Sequence, residues 1–300
     1  MVERNVHDIL FLGQYTKDTI VSAAGTRVVN GGAFYYGANV AVRMGLKVAA
    51  VTRLAGEDFT VLRELEGLGV EVFARQTPHS TCLRLVYPSD NPDERVIYVD
   101  STAGSFTPEE ARGLKARVAV LGGSLRGEIP LEVIEVLIAQ GCRIALDVQG
   151  YVRVAREGKL AHEPWPEREA VLARVEVLKT DAVEAEMLTG SPDIRRAAGI
   201  LQALGPKEVL LTHKDGVLVC EGGKIHQAVF LPRKLVGRSG RGDTCLSAYA
   251  SRRLSHPPAE ALLWAAAVTS LKMEAEGPFR RGLAEVEALV PEIRARSQQP

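Results

Sequence analysis

The 300-residue chain has no excess of charge of either sign, since 37 Lys and Arg face 37 Asp and Glu. Nucleic acids and anionic bilayers select a basic face, so neither is expected as a general partner. Long apolar runs are missing too. Nothing approaches the roughly 18 residues of a membrane span, and the softest stretch, Ala261 to Leu271, is alanine-rich and flanked by charge, as in a buried helix. The opening MVERNVHDILFLG has no basic region followed by a long apolar core and a small-residue cleavage site, so no secretory signal is read. Cysteines are few and scattered. Cys82, Cys142, Cys220 and Cys245 form no C-x-x-C pair, and nothing near His79 and Cys82 completes a zinc set. A reduced, cytoplasmic protein without structural metal is the expectation. Two nucleotide fingerprints are absent as well: there is no G-x-x-x-x-G-K-[ST], and no G-x-G-x-x-G follows the first apolar run.

What is present is ordinary in amount and informative in order. Hydrophobic residues make up 46% and charged ones 25%, the balance of a soluble globular protein. Short apolar runs such as Ile9 to Leu12, Val48 to Val51, Val118 to Leu121, Arg143 to Asp147 and Val175 to Leu178 alternate with helical patterns that glycines close, as at Gly45 and Gly190. That alternation predicts a mostly parallel sheet with helices on both faces. Two segments break the rhythm, at about residues 19–30 and 71–100, where strand patterns follow one another with no helix between them. Together they predict a small β-sheet beside the carboxyl ends of the core strands. It reads either as a lid over a ligand site or as an insertion without function.

The sharpest local signal is Gly237-Arg238-Ser239-Gly240-Arg241-Gly242-Asp243-Thr244, directly before an apolar helical stretch. Glycines 240 and 242 let the backbone turn tightly, and the helix start adds amides and a positive dipole end, so the loop predicts an anion cradle. Asp243 at its mouth would repel an anion. It reads either as a base that takes a proton from an attacking hydroxyl or as the cap of the helix.

Five elements, in order, resemble the ribokinase/PfkB carbohydrate kinases. Ser239 to Thr244 resembles their T-G-A-G-D-T element. Gly31-Gly32 with Gly37-Ala38-Asn39-Val40-Ala41 and Met44-Gly45 resembles G-G-x-G-A-N-x-A followed by L-G, and Leu46 to Asp58 continues it. Asp181 to Gly190 resembles N-x-x-E-x-x-x-L-T-G, and Leu211-Thr212 with Asp215-Gly216-Val217 resembles the T-x-G-x-x-G-V turn. The resemblance implies a single ribokinase-like domain over 1–300, an α/β three-layer sandwich with a mostly parallel central sheet and a small β-sheet lid. It implies an ATP- and Mg²⁺-dependent kinase acting on a small sugar or polyol. The edges of the lid sheet could pair between subunits, so a homodimer is an expectation.

The implied roles follow the motifs. Asp243 would be the catalytic base, with Gly240, Arg241 and Gly242 forming the anion hole. Thr212 and Gly216 would line the ATP site, and Glu184, with Asp181 in the family's Asn position, would support Mg²⁺ through water. Asp18, Gly32 and Asn39 would hold substrate hydroxyls. The departures bear on these roles. Ala33-Phe34-Tyr35-Tyr36 lengthens the first signature, so Tyr36 and its neighbour either wall the substrate pocket or pack the helix. Gly237 stands in place of an aspartate that belongs to a monovalent-cation site in the family. Arg241 replaces a small residue of the anion hole, and the turn at Thr212 is one residue short. Asp147 to Arg153, with Gln149 or Arg153 reaching substrate or phosphate or else packing a loop, resembles an inositol-kinase-like branch together with Tyr35-Tyr36 and Ala267 to Lys272. Myo-inositol is therefore the first substrate expected. A nucleoside kinase on the same fold, or a non-catalytic sugar- or nucleotide-binding regulator, are the alternatives.

Overall fold

The computed structural model describes residues 6–89, 95–237 and 239–298. In β1 (His7–Leu12) every residue from Ile9 to Leu12 is buried, the mark of a strand covered on both faces. The chain then leaves as a hairpin, β2 (Thr16–Ser22) and β3 (Gly25–Gly31). It returns through α1 (Ala33–Arg43) to β4 (Val48–Ala55), which lies parallel to β1. A 3₁₀ turn at Gly56–Val61 and α2 (Leu62–Gly67) lead into β5 (Glu71–Thr77), and the chain switches sheets again for β6 (Thr81–Val86) and β7 (Val96–Ser101). Next come α3 (Pro108–Ala111), β8 (Ala116–Leu121), α4 (Leu131–Ala139), β9 (Arg143–Asp147) and the single turn α5 (Gln149–Val152). A second excursion, β10 (Arg153–Arg156) and β11 (Lys159–His162), precedes α6 (Arg168–Leu172), β12 (Val177–Asp181), α7 (Ala182–Thr189), α8 (Ile194–Ala203) and β13 (Glu208–Thr212). The chain closes with the hairpin β14 (Gly216–Glu221) and β15 (Lys224–Val229), then α9 (Arg241–Arg253), α10 (Pro258–Met273) and α11 (Leu283–Ser297).

The nine-stranded sheet runs β15-β14-β13-β12-β9-β8-β1-β4-β5 and is parallel except where β14 pairs with β13 and β15. Alternate side chains feed two cores. Ile9 and Phe11 pack with α1, α9, α10 and α11 on one face, and Leu10 and Leu12 pack with α3, α4, α6, α7 and α8 on the other. The result is the expected three-layer arrangement.

The six-stranded second sheet has the order β10-β11-β7-β6-β2-β3, and two expectations about it need correction. Residues 71–77 belong to the large sheet, as its edge strand β5 in parallel register with β4; the absence of a helix after them reflects a change of sheet at Pro78 and His79. Residues 153–162 join the small sheet instead. Their hairpin turns at Glu157 and Gly158, both at positive φ, and its four-residue strands are too short and charged to show alternation. Ser89-Asp90-Asn91-Pro92-Asp93, a turn cluster by composition, lies from residue 90 on outside the described residues.

Candidate active site

The carboxyl ends of β8, β9, β12 and β13 open under the small sheet, and a cavity of about 590 Å³ lies between them. Open α/β sheets place ligands at such strand ends. The floor is the start of α9. Gly240 caps that helix in the left-handed conformation, φ 72°, and Arg241 is its first residue. The helix thus begins three residues before the apolar stretch suggested, which puts Asp243 inside the first turn and removes the capping alternative for it. A Cβ at Gly240 would lie 2.4 Å from the Tyr36 ring, and one at Gly242 would lie 2.6 Å from the Lys179 ammonium. Both glycines are required by close approach, and the helix start aims its first N–H groups into the cavity.

Asp243 and Asp18 share this space. Burial is the main cause that pushes the Asp243 carboxyl up to about 6, with Asp147 adding to the shift and Lys179, Arg153 and Lys272 opposing it. Asp18, on β2, is likewise raised to about 6 by burial. Thr16 opposes that shift through a hydrogen bond, Asp243 adds to it, and Arg95 and Arg153 oppose it. The Asp18 Oδ1 atom is buried with no hydrogen-bond partner, an acceptor left for a ligand hydroxyl.

Lys179 escaped the sequence reading, whereas Asp147 and Arg153, noted there within one loop, gain their partners and surroundings only in the fold. Lys179 sits buried in β12 with Nζ 2.9 Å from Asp147 Oδ2 on the adjacent strand, where the two residues are register partners. Burial works against its charge, yet Asp147, Glu184 and Asp181 hold its pKa above the usual lysine value. Arg153, at the start of β10, lines the cavity and has a buried Nε without a partner. A lysine and an aspartate inside apolar strand patterns were the available signal. Their pairing needed the strand order.

The structure brings Asp18, Gly32, Tyr36, Gln149, Asp181, Thr212, Gly240, Arg241, Gly242 and Asp243 to the cavity wall. The tyrosines divide: Tyr36 faces the cavity, whereas Tyr35 donates to Glu64 at 2.5 Å within the packed side. Three expected residues are not in the wall. Asn39 lies fully buried in the second turn of α1, where its amide donates to the Tyr35 carbonyl and its oxygen accepts from Arg43, so both ends of the carboxamide are engaged within the helix. Gly216 lies in β14 with its Cα packed against the Ala228 carbonyl of β15. Glu184 stands behind Asp181 in a reciprocal capping box, Glu184 N–H to Asp181 at 2.8 Å and Asp181 N–H to Glu184 at 3.0 Å. Its remaining Oε1 is buried without a partner, and burial raises its carboxyl above the ordinary range. Among the described residues no group of three or more His, Cys, Asp or Glu side chains is placed to hold a metal unaided.

Residues 5–280 match the pfkB family of carbohydrate kinases. The chain belongs to that family. As a pfkB kinase it is 33% identical to a pyrophosphate-dependent kinase in the ribokinase family solved as a sulfate complex, over 93% of this chain and 99% of that one, with a TM-score of 0.87. A second solved structure, of a pyrophosphate-dependent myo-inositol-1 kinase converted into a myo-inositol-3 kinase by two substitutions, is 31% identical over 95% and 99% of the chains, with a TM-score of 0.85. Arabidopsis thaliana ribokinase, complexed with ribose and ATP, shares the fold at a TM-score of 0.77 and 22% identity over 95% and 99% of the chains. A cytidine kinase of Thermococcus kodakarensis is 29% identical over 251 residues, 79% of this chain and 84% of its own. No helix of the described pfkB kinase is long and apolar enough to cross a membrane.

Proposed function

We propose that this kinase phosphorylates a hydroxyl of a small cyclic polyol, with myo-inositol the first candidate and Asp243 as general base. The observation that carries the reading is the Asp243 carboxylate, at the mouth of a glycine cradle, in a half-open cavity whose other wall holds Asp18 with a free acceptor. The hydroxyl oxygen attacks the terminal phosphorus, Asp243 takes the hydroxyl proton, and the cradle amides meet the charge that spreads over the phosphoryl oxygens. Asp18, Gly32, Tyr36 and Gln149 lie on the acceptor side, and Asp181 and Thr212 on the donor side. The small sheet acts as a lid that excludes water, which would otherwise accept the phosphoryl group.

The donor is best matched by inorganic pyrophosphate. Lys179, Arg153, Lys214 and Arg241 line the cavity, a concentration of cations suited to a compact polyphosphate. The relatives at 31–33% identity are pyrophosphate-dependent, which supports the same choice over the ATP implied by the motifs. Mg²⁺ prefers hard oxygen ligands and keeps its waters, and Asp181 with the orphaned Glu184 Oε1 fits such a hydrated ion. When bound, it would neutralise charge on the donor. The expected homodimer would use the open edge of the lid at β3, whose residues are largely exposed. The reduced cysteines suit a cytoplasmic protein.

The second reading, a nucleoside kinase, is favoured by the cytidine kinase relative and by the Tyr36 ring available for stacking. One assay separates them: pyrophosphate and ATP, each offered with polyols, sugars and nucleosides, with phosphate or ADP release measured. Turnover of pyrophosphate with a cyclic polyol is the expected result. ATP turnover with cytidine supports the second reading, and ligand binding without turnover of any pair would make the protein a regulator.

A further inference from the structure

Phosphoryl transfer at Asp243 leaves a second buried ammonium without a role. Lys272 lies in the last turn of α10, 2% exposed, where a helix C-terminus favours a cation. Its Nζ donates to the Gly237 carbonyl at 3.1 Å and stands 5.6 Å from the centre of the Tyr36 ring. The same helix end holds that segment again, because the N–H groups of Val236 and Gly237 donate to the Met273 carbonyl at 2.8 and 3.1 Å. The fit there is tight: a Cβ at Gly237 would lie 2.4 Å from the Ala275 carbonyl. Gly237 is three residues before Gly240, and the Tyr36 ring is the surface against which Gly240 packs. The ammonium therefore touches both supports of the cradle, the segment that leads into it and the ring that backs it.

Packing alone does not account for a lysine at this position. Burying an ammonium carries a desolvation penalty, and an apolar side chain of similar volume usually serves as well or better. The penalty is visible, since burial pushes the Lys272 ammonium down to about 8, with Asp243 and Glu276 opposing the shift and Arg241 adding to it. We propose that Lys272 is a positioning residue of the transfer site, an internal cation that fixes the Gly237 carbonyl and the Tyr36 ring and so sets the geometry of the Gly240–Asp243 cradle. It acts through those groups and not on the phosphoryl group itself. The inference rests on the phosphotransferase reading, and its test is arranged so that the two fail separately.

The test compares wild type with Lys272→Met, which keeps volume and removes charge, and Lys272→Ala, which leaves room for a small amine. With the substrate pair that wild type turns over, Lys272→Met is expected to lose about tenfold or more in kcat, while acceptor KM stays within about threefold. Its Tm should not fall, because a buried charge has been replaced by an apolar chain. In Lys272→Ala, ethylammonium chloride should restore part of kcat and sodium chloride at equal ionic strength should not. A Lys272→Met enzyme within about threefold of wild-type kcat overturns the proposal. So does loss of activity with a lowered Tm and no amine rescue, which would make the residue purely structural. If wild type turns over nothing offered, the functional reading fails and the positioning role is read by calorimetric binding of methylenediphosphonate. Affinity about fivefold or more weaker in Lys272→Met supports the role, and unchanged affinity overturns it.

Discussion

At the residue scale the site is governed by buried charge. Asp243 must be ionised to accept a proton, and burial raises its pKa to about 6. The sign follows directly: the base is lost as pH falls through about 6, so kcat/KM, which reports the free enzyme, should have its acid limb there. An acid limb near 4, the ordinary carboxylate value, would contradict this environment for the base. The same residues show what a sequence can carry. Gly240, Gly242 and Asp243 are legible because the two glycines and the carboxylate lie within four consecutive residues at one helix start. Lys179 is not, and Asp147 and Arg153 are legible only as residues of one loop, because the pairing comes from strands placed side by side and the placement from a hairpin that folds back over the cavity. Asn39 was assigned to the substrate through the motif alone, and it lies in a turn of α1 where its amide bonds to the Tyr35 carbonyl.

At the scale of elements, the start of α9 decides whether a cradle exists. Gly240 combines a left-handed backbone with direct contact to the Tyr36 ring, so Gly240→Ala adds both strain and overlap. The backbone part alone is about 1–2 kcal/mol. Denaturant unfolding should show at least that loss, and Tyr36→Ala in the same chain should recover the part due to the ring. Stability equal to wild type in Gly240→Ala would contradict the cap geometry. The long alanine-rich run that forms the buried part of α10 was visible in the sequence, as were strands buried on both faces. The β10–β11 hairpin was not, and β5 was visible as a strand but not as a member of the large sheet. Short, half-exposed strands carry little alternation, and sheet membership is a property of the partner strand, which the segment itself does not encode.

At the scale of the whole molecule, the neutral total charge and the anionic donor are compatible because the phosphate chemistry is local. Two sheets close on one cavity, and backbone amides together with Lys179, Arg153 and Arg241 supply the positive potential there, leaving the surface balanced. The sequence made the three-layer fold and the existence of the second sheet legible, since both depend on the order of elements along the chain. The composition of that sheet depended on contacts between distant segments. The central claim is that transfer occurs where the sheets meet, with Asp243 as its base, and Asp243→Asn tests it most directly. The raised pKa means that the folded state holds its proton more tightly than the unfolded chain does. Stability from that group is therefore present at low pH and lost as pH rises through about 6. At neutral pH the variant should thus keep or raise its Tm. Measured with the substrate pair that wild type uses, kcat is expected to fall by about 10²-fold or more in this intact variant. A loss of less than about tenfold, with the fold intact, would contradict a general base at Asp243.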